Sequence, residues 1–208
     1  MSSIEFFQKG GPVMYLLLLC SLSIAAIAID RFLFYRQAGK GIRSFLESLP
    51  SLLGQNSKEK AKELCEQEKN AAGFLANAGI KAACENRDVA LALDDAYTVA
   101  AMQLRARLNY LSMIVTLAPL LGLLGTIFGM IDSFSIFNLQ AGQPLAITGG
   151  IGEALIATAT GLCVAIFALC VHTYFSQRLD ELLSDLDRTV TNVLAGLKIR
   201  KGEKGNAA

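Results

Sequence analysis

The chain has 208 residues, of which 53% are hydrophobic and only 18% are charged, and its mean hydropathy is positive. Average proteins carry about 25% charged residues, so this composition argues against a soluble domain and indicates a membrane protein. The formal net charge of +1 carries no information about nucleic acid, because the charges are strongly segregated along the chain.

The N-terminal segment, residues 1–11, contains "SSIEFFQK" followed by a Gly-Gly-Pro break, and it is predicted to be an interfacial helix on the outer face of a membrane. The uncharged run that follows is long enough for a bilayer, which needs about 20 mainly apolar residues. Because Glu5 and Lys9 offset each other and no cleavage site is evident, we expect a retained transmembrane helix at 12–30 rather than a secretory signal. Its large side chains predict that it faces lipid.

Residues 31–107 contain most of the charge and are predicted to form a cytoplasmic helical segment. Charged and apolar residues recur at helical spacing in "NSKEKAKELCEQEK" and again in "RDVALALDDAYTVAAMQLRARLNYL". No glycine or proline occurs between Asp88 and Ala118. The sequence therefore predicts one long helix that passes without a break into the second membrane crossing.

Two further uncharged runs predict transmembrane helices at 108–137 and 147–176, joined by a periplasmic loop at 138–146. Small residues recur every three or four positions in both runs. Such spacing lets helix backbones approach closely in lipid, so we expect these two helices to pack inside a bundle. The packing positions are Gly122, Gly125, Gly129, Ala157, Gly161 and Ala165.

The C-terminal segment, residues 177–208, is predicted to be a cytoplasmic helix followed by a tail. Leucine and valine form one stripe along "SQRLDELLSDLDRTVTNVL", opposite a charged face, which predicts packing against the helix at 88–107. Residues 198–208, "KIRKGEKGNAA", are expected to be disordered.

The distribution of lysine and arginine predicts the orientation in the membrane. Of 19 basic residues, only Lys9 precedes the first apolar run and none lies between the second and third. By the positive-inside rule, the N-terminus is periplasmic and the C-terminus is cytoplasmic.

Glu153 is the most informative single residue, because a carboxylate is costly in hydrocarbon. It stands behind a Gly-Gly-Ile-Gly stretch, near the outer end of the third run. One interpretation is that Glu153 reaches the outer headgroups or favours the dipole at the helix start. The other is a carboxyl group inside a bundle, protonated or lining a water-filled passage, that takes up and releases a proton.

The sequence contains no motif that indicates an enzyme. The sequence contains no phosphate-binding glycine loop, HExxH, GxSxG or paired intramembrane aspartate motif. The five cysteines form no CxxC pair and have no histidine at ligand spacing, so neither a metal nor a disulfide is implied. We expect no enzyme activity and no cofactor.

Three segments carry a family resemblance: "FQKGGPVMYLLLLCSLSIAAIAIDRF", "LAPLLGLLGTIFGMIDSF" and "GIGEALIATATGL". They resemble the signature segments of the MotA/TolQ/ExbB proton-channel family, in the same order and with the same topology. The three-crossing plan and short chain are more similar to the ExbB and TolQ branches than to MotA, which has a fourth crossing. ExbB, which energises the TonB system, is the closer branch.

The resemblance implies an inner-membrane homopentamer whose second and third helices line a central pore. The pore would hold an ExbD- or TolR-like partner with a single membrane helix. An aspartate of that helix would carry protons, which would be the coupling ion. Thr126, Glu153 and Thr158 match the family's polar lining. The transducer would then drive a TonB-like protein for outer-membrane import of siderophores or vitamin B12. The alternatives are a TolQ-like role in the Tol-Pal envelope system, with a TolA-like protein, and a membrane scaffold that conducts no ions.

The third run departs from the family pattern at one position. Family members usually carry a proline after "GLxxAI", and Phe167 stands there in this chain. A straighter third helix, or a bend taken up at Gly161, is therefore expected.

Overall fold

Helices are the regular elements of the computed structural model, which describes residues 11–54, 70–139 and 144–205. The all-helical prediction is confirmed for these ranges. The interfacial helix expected in residues 1–11 lies outside the described ranges except for Gly11. Residues 55–69, which include the helical pattern "NSKEKAKELCEQEK", also lie outside them. The helices are α1 (Val13–Ala38), α2 (Ile42–Gly54), α3 (Ala71–Cys84), α4 (Val89–Arg105), α5 (Leu108–Leu139) and α6 (Pro144–Gly205).

Three of the helices, α1, α5 and α6, contain stretches long and apolar enough to cross a membrane. This agrees with the three predicted crossings. Helix α1 begins at Val13, directly after Gly11 and Pro12. Gly11 has a φ of 68°, which glycine adopts without steric cost. One face of α1 is buried, with Met14, Leu17 and Ile24, while Tyr15, Leu19 and Leu22 are exposed. This exposed apolar face is consistent with the predicted contact with lipid.

Helix α6 is uninterrupted over 62 residues. It runs through Phe167, whose side chain is exposed, and continues to Gly205. The prediction of a disordered tail is therefore wrong for residues 198–205, whose backbone is helical. Residues 197–201, "LKIRK", are mostly good helix formers, which favours the first part of this extension.

The prediction of one continuous helix from Asp88 to Ala118 is also wrong. Helix α4 ends at Arg105 and α5 begins at Leu108, with Arg107 at a φ of 68°. A side chain in this left-handed region costs roughly 1–2 kcal/mol. At this break, carbonyl groups at the end of α4 accept hydrogen bonds from side chains of α1.

The chain divides into two compact units. The apolar unit comprises residues 1–30 and 107–175, and the charged unit comprises residues 31–106 and 176–208. Within the apolar unit, the basic residue Arg107 is paired with Asp30.

The charged unit is held together by contacts among α3, α4 and α6. A Cβ atom at Gly79 on α3 would lie 2.9 Å from both Leu93 and Val193, so these helices meet closely there. Burial raises the pKa of the Tyr97 hydroxyl on α4, and the nearby Asp187 carboxylate on α6 raises this pKa further. The predicted apolar stripe on α6 contributes Leu182 and four further buried side chains to this unit: Leu179, Leu183, Leu186 and Val193.

Asn70 caps the N-terminus of α3 and ties it to the chain after α1. Its Oδ1 accepts from the Gly73 amide at 2.7 Å, and its Nδ2 donates to the Lys40 carbonyl at 3.1 Å. Losing an N-cap costs about 1 kcal/mol. We expect Asn70→Ala to lower the Tm of the purified protein by roughly 2–4 °C.

The matched control is Asp88→Asn at the exposed N-cap of α4. Asp88 accepts from the Ala90 and Leu91 amides, and asparagine caps as well as aspartate, so its Tm should equal that of wild type. Equal melting temperatures for Asn70→Ala and wild type would show that the buried amide does not stabilise the charged unit.

Candidate functional site

Helices α5 and α6 pack against each other in antiparallel register through small residues. The distances from an ideal Cβ, built at each glycine, to atoms of the facing residue measure the closeness of approach. These distances are 2.6 Å from Gly161 to the Ala118 carbonyl oxygen, 2.6 Å from Gly125 to Ala157 Cβ and 2.9 Å from Gly129 to Ala154 Cβ. Larger side chains at these glycines would separate the helices, so the small residues set the approach.

Thr158 provides a polar link between the two helices. Its hydroxyl on α6 donates to the carbonyl oxygen of Gly122 on α5 at 3.0 Å. The approach is close here as well, since a Cβ at Gly122 would lie 3.1 Å from Thr158 Cα. In hydrocarbon such an interhelical hydrogen bond stabilises a helix pair by about 0.6 to 2 kcal/mol.

Thr126 lies on α5, one turn beyond Gly122 towards the α5–α6 connection. Its hydroxyl donates to the Leu123 carbonyl oxygen at 2.6 Å, within its own helix, and the residue is half-buried. The two threonine hydroxyls therefore have different partners, one within a helix and one across the pair. Each oxygen keeps acceptor capacity for a further donor.

Glu153 belongs to helix α6, and its backbone is described. It directly precedes Ala154, which faces Gly129. Thr126 stands between Gly125, which faces Ala157, and Gly129, so its backbone lies between the levels of Ala154 and Ala157, about one turn from Glu153. Thr158 is five residues further along α6, which is about 7.5 Å along the helix axis. The backbones of the three sequence-predicted polar residues are thus brought together within about two turns.

The remaining predicted packing position, Ala165, is 8% exposed and continues the buried alanine face of α6 with Ala168. Gly149 and Gly152 behave differently, because a Cβ at either would contact nothing within 4 Å. The small residues in the first part of α6 therefore differ: Ala154 and Ala157 face α5, whereas Gly149 and Gly152 do not contact it.

Ser133 belongs to the same helix pair and was not singled out from the sequence. It is 2% exposed, and its hydroxyl donates to the Gly129 carbonyl oxygen at 2.6 Å. An ideal Cβ at Gly150 would lie 1.9 Å from its Oγ, so this hydroxyl lies against α6 one turn before Glu153. The available signal was spacing, because Ser133 extends the small-residue series of Gly125 and Gly129 by four positions.

Comparison with known proteins identifies the family. Residues 60–188 match the sequence profile of the MotA/TolQ/ExbB proton channel family. The chain is 35% identical over 191 residues to ExbB-like 1 of Synechocystis, covering 85% of this chain and 73% of that protein. It is also 34% identical over 87 residues to the biopolymer transport protein ExbB of Salmonella typhimurium, covering 41% of this chain and 36% of that protein.

A relative from the Tol-Pal system matches over a similar length. The chain is 38% identical over 82 residues to the Tol-Pal system protein TolQ of Pseudomonas aeruginosa, covering 39% of this chain and 36% of that protein. The profile match includes α5 and the part of α6 that carries the small-residue contacts. With three helices long and apolar enough to span a membrane and a profile match over most of its length, the chain belongs to the MotA/TolQ/ExbB proton channel family.

Proposed function

We propose that this multi-pass membrane protein is the channel subunit of an energy transducer in the bacterial inner membrane. It passes protons along the interface between the α5–α6 helix pair and a partner helix, and it converts their movement into rotation or shear of the partner. The proposal rests on three polar residues, Thr126, Glu153 and Thr158, which belong to two closely packed apolar helices. The chain that contains these helices matches a proton channel family.

The proposed assembly is a homopentamer around a central pore. The pore contains an ExbD- or TolR-like protein with one membrane helix and a membrane aspartate. In this arrangement five copies of Glu153 surround an axis and avoid lipid, which removes the cost of a carboxylate in hydrocarbon. The proposed crossings are 12–30, 108–137 and 147–176, with 31–107 and 177–208 in the cytoplasm and 138–146 in the periplasm.

The free energy available from the membrane potential is large enough for the proposed transducer. A potential of 100 mV supplies about 2.3 kcal/mol for each charge that crosses the membrane. A cycle that moves a few protons therefore supplies enough free energy to change how helices pack. Work of this size would drive a TonB-like protein for outer-membrane import of siderophores or vitamin B12.

The 38% identity with a TolQ protein supports the Tol-Pal envelope pathway as a second candidate. In that case the same channel would act in the Tol-Pal envelope system through a TolA-like protein. The proton chemistry of α5 and α6 is the same in both pathways, so the terminal partner distinguishes them.

Native mass spectrometry of the tagged chain, purified from its own membranes in mild detergent, tests the proposal. A pentamer that carries a single-helix protein with a membrane aspartate is expected. A co-purified TonB-like protein would assign the import pathway, and a TolA-like protein would assign the envelope pathway. A monomer, or an oligomer without such a companion, would contradict the transducer and favour a scaffold that conducts no ions.

A further inference from the structure

The junction between α4 and α5 has a backbone conformation that its own residues do not favour. Residues 103–108, "QLRARL", are all good helix formers. The helix nevertheless ends at Arg105, and Arg107 adopts a φ of 68°. Non-glycine residues rarely enter this region of backbone space. Contacts from elsewhere in the chain must therefore stabilise the break.

The Arg31 side chain of α1 lies against the end of α4. Its Nη1 donates to the carbonyl oxygens of Gln103 at 3.3 Å and Ala106 at 3.1 Å, and the residue is only 5% exposed. The guanidinium carbon also lies 4.6 Å from the centroid of the Phe34 ring, a cation–π distance. A positive charge at this place interacts favourably with the negative end of the α4 dipole.

Tyr35 supplies a second donor to the same helix end. Its hydroxyl, which is buried, donates to the Leu104 carbonyl oxygen at 2.7 Å. In a continuous helix, the carbonyls of Gln103, Leu104 and Ala106 would each accept from the amide four residues further on. The two α1 side chains bind the same three acceptors, so they satisfy the carbonyl groups that a helix end leaves without intrahelical partners.

We propose that Arg31 and Tyr35 are positioning residues that hold the α4–α5 junction as a helix break and thereby set the residue at which α5 begins. They act from 69 to 75 residues away in sequence. Without them, residues 103–110 form a continuous helix, as their local sequence favours. The inference concerns the backbone at the junction and holds whether or not the chain conducts protons.

The first test is Arg31→Met in the full chain, isotopically labelled and reconstituted in lipid bilayers for solid-state NMR. Methionine removes the donors and keeps an unbranched apolar side chain. We expect the Arg107 Cα chemical shift to move into the helical range. Amide exchange at Leu108 should slow at least tenfold, because its amide gains a helical partner. Arg36→Met, which changes an exposed arginine of the same helix, should leave both measurements unchanged.

Two further variants separate positioning from general structural damage. Adding Arg107→Gly to Arg31→Met should restore the break, because glycine adopts a positive φ without steric cost. Arg31→Lys, which keeps a charged donor, should restore it in part. The proposal is wrong if position 107 keeps its left-handed conformation in Arg31→Met.

If Arg31→Met fails to fold, the same measurements are made on Tyr35→Phe, which removes only one hydroxyl group. A measurable helical population at Arg107 is then expected. Chemical shifts identical to those of wild type in Tyr35→Phe would overturn the role of this pair.

Discussion

Glu153→Gln is expected to lower the rate of potential-driven proton uptake at least tenfold while the oligomer remains intact. Glutamine has nearly the shape of glutamate, but it cannot take up or release a proton. A tenfold loss corresponds to about 1.4 kcal/mol in the barrier for transfer. The measurement is proton entry into liposomes that contain the chain and its co-purified partner, followed with a pH-sensitive dye under an imposed potential. Native mass spectrometry of the same sample reports the oligomer.

Asp132→Asn is the matched control, because Asp132 is an exposed carboxylate in the last third of α5, about two turns before the helix ends at Leu139. This variant should conduct as wild type does. Wild-type conduction by Glu153→Gln would contradict the transducer and favour a scaffold. Loss of the oligomer in Glu153→Gln would assign Glu153 a structural role instead. Repeating the assay with and without sodium identifies the coupling ion.

Gly161→Ala should destabilise the α5–α6 pair more than any other single-methyl substitution among the contacts described above. The new Cβ would lie 2.6 Å from the Ala118 carbonyl oxygen and 2.9 Å from Gly122 Cα. Both are backbone atoms, so a change of side-chain rotamer cannot relieve the clash and the helices must move apart. Overpacking of this kind costs roughly 1–3 kcal/mol. In a chain of this size, that corresponds to a Tm lowered by roughly 2–12 °C.

Gly152→Ala is the control for helix propensity, since its Cβ would contact nothing within 4 Å. This variant should melt at or above the wild-type temperature, because alanine favours a helix by about 1 kcal/mol over glycine. Thermal unfolding in detergent, followed by circular dichroism, measures both variants. Equal Tm values for the two would show that the close approach of α5 and α6 does not contribute to stability.

The sequence alone determined the three helices that are long and apolar enough to span a membrane, because an uncharged apolar run of about 20 residues has few alternatives to a helix in a bilayer. It also singled out Glu153, since a carboxylate within an apolar run requires an explanation. Ser133 was missed because a serine in a helix costs little, and only its burial against Gly150 makes it noticeable.

Other features were decided by the tertiary structure. Small-residue periodicity predicted which faces of the second and third crossings would pack, but the register that places Gly161 against Ala118 depends on both helices together. The break at Arg107 was unpredictable from residues 88–118, which locally favour a continuous helix. It arises because Arg31 and Tyr35, distant in sequence, donate to carbonyl groups at the end of α4. Local propensity is worth only tenths of a kcal/mol per residue, and hydrogen bonds from buried side chains exceed it.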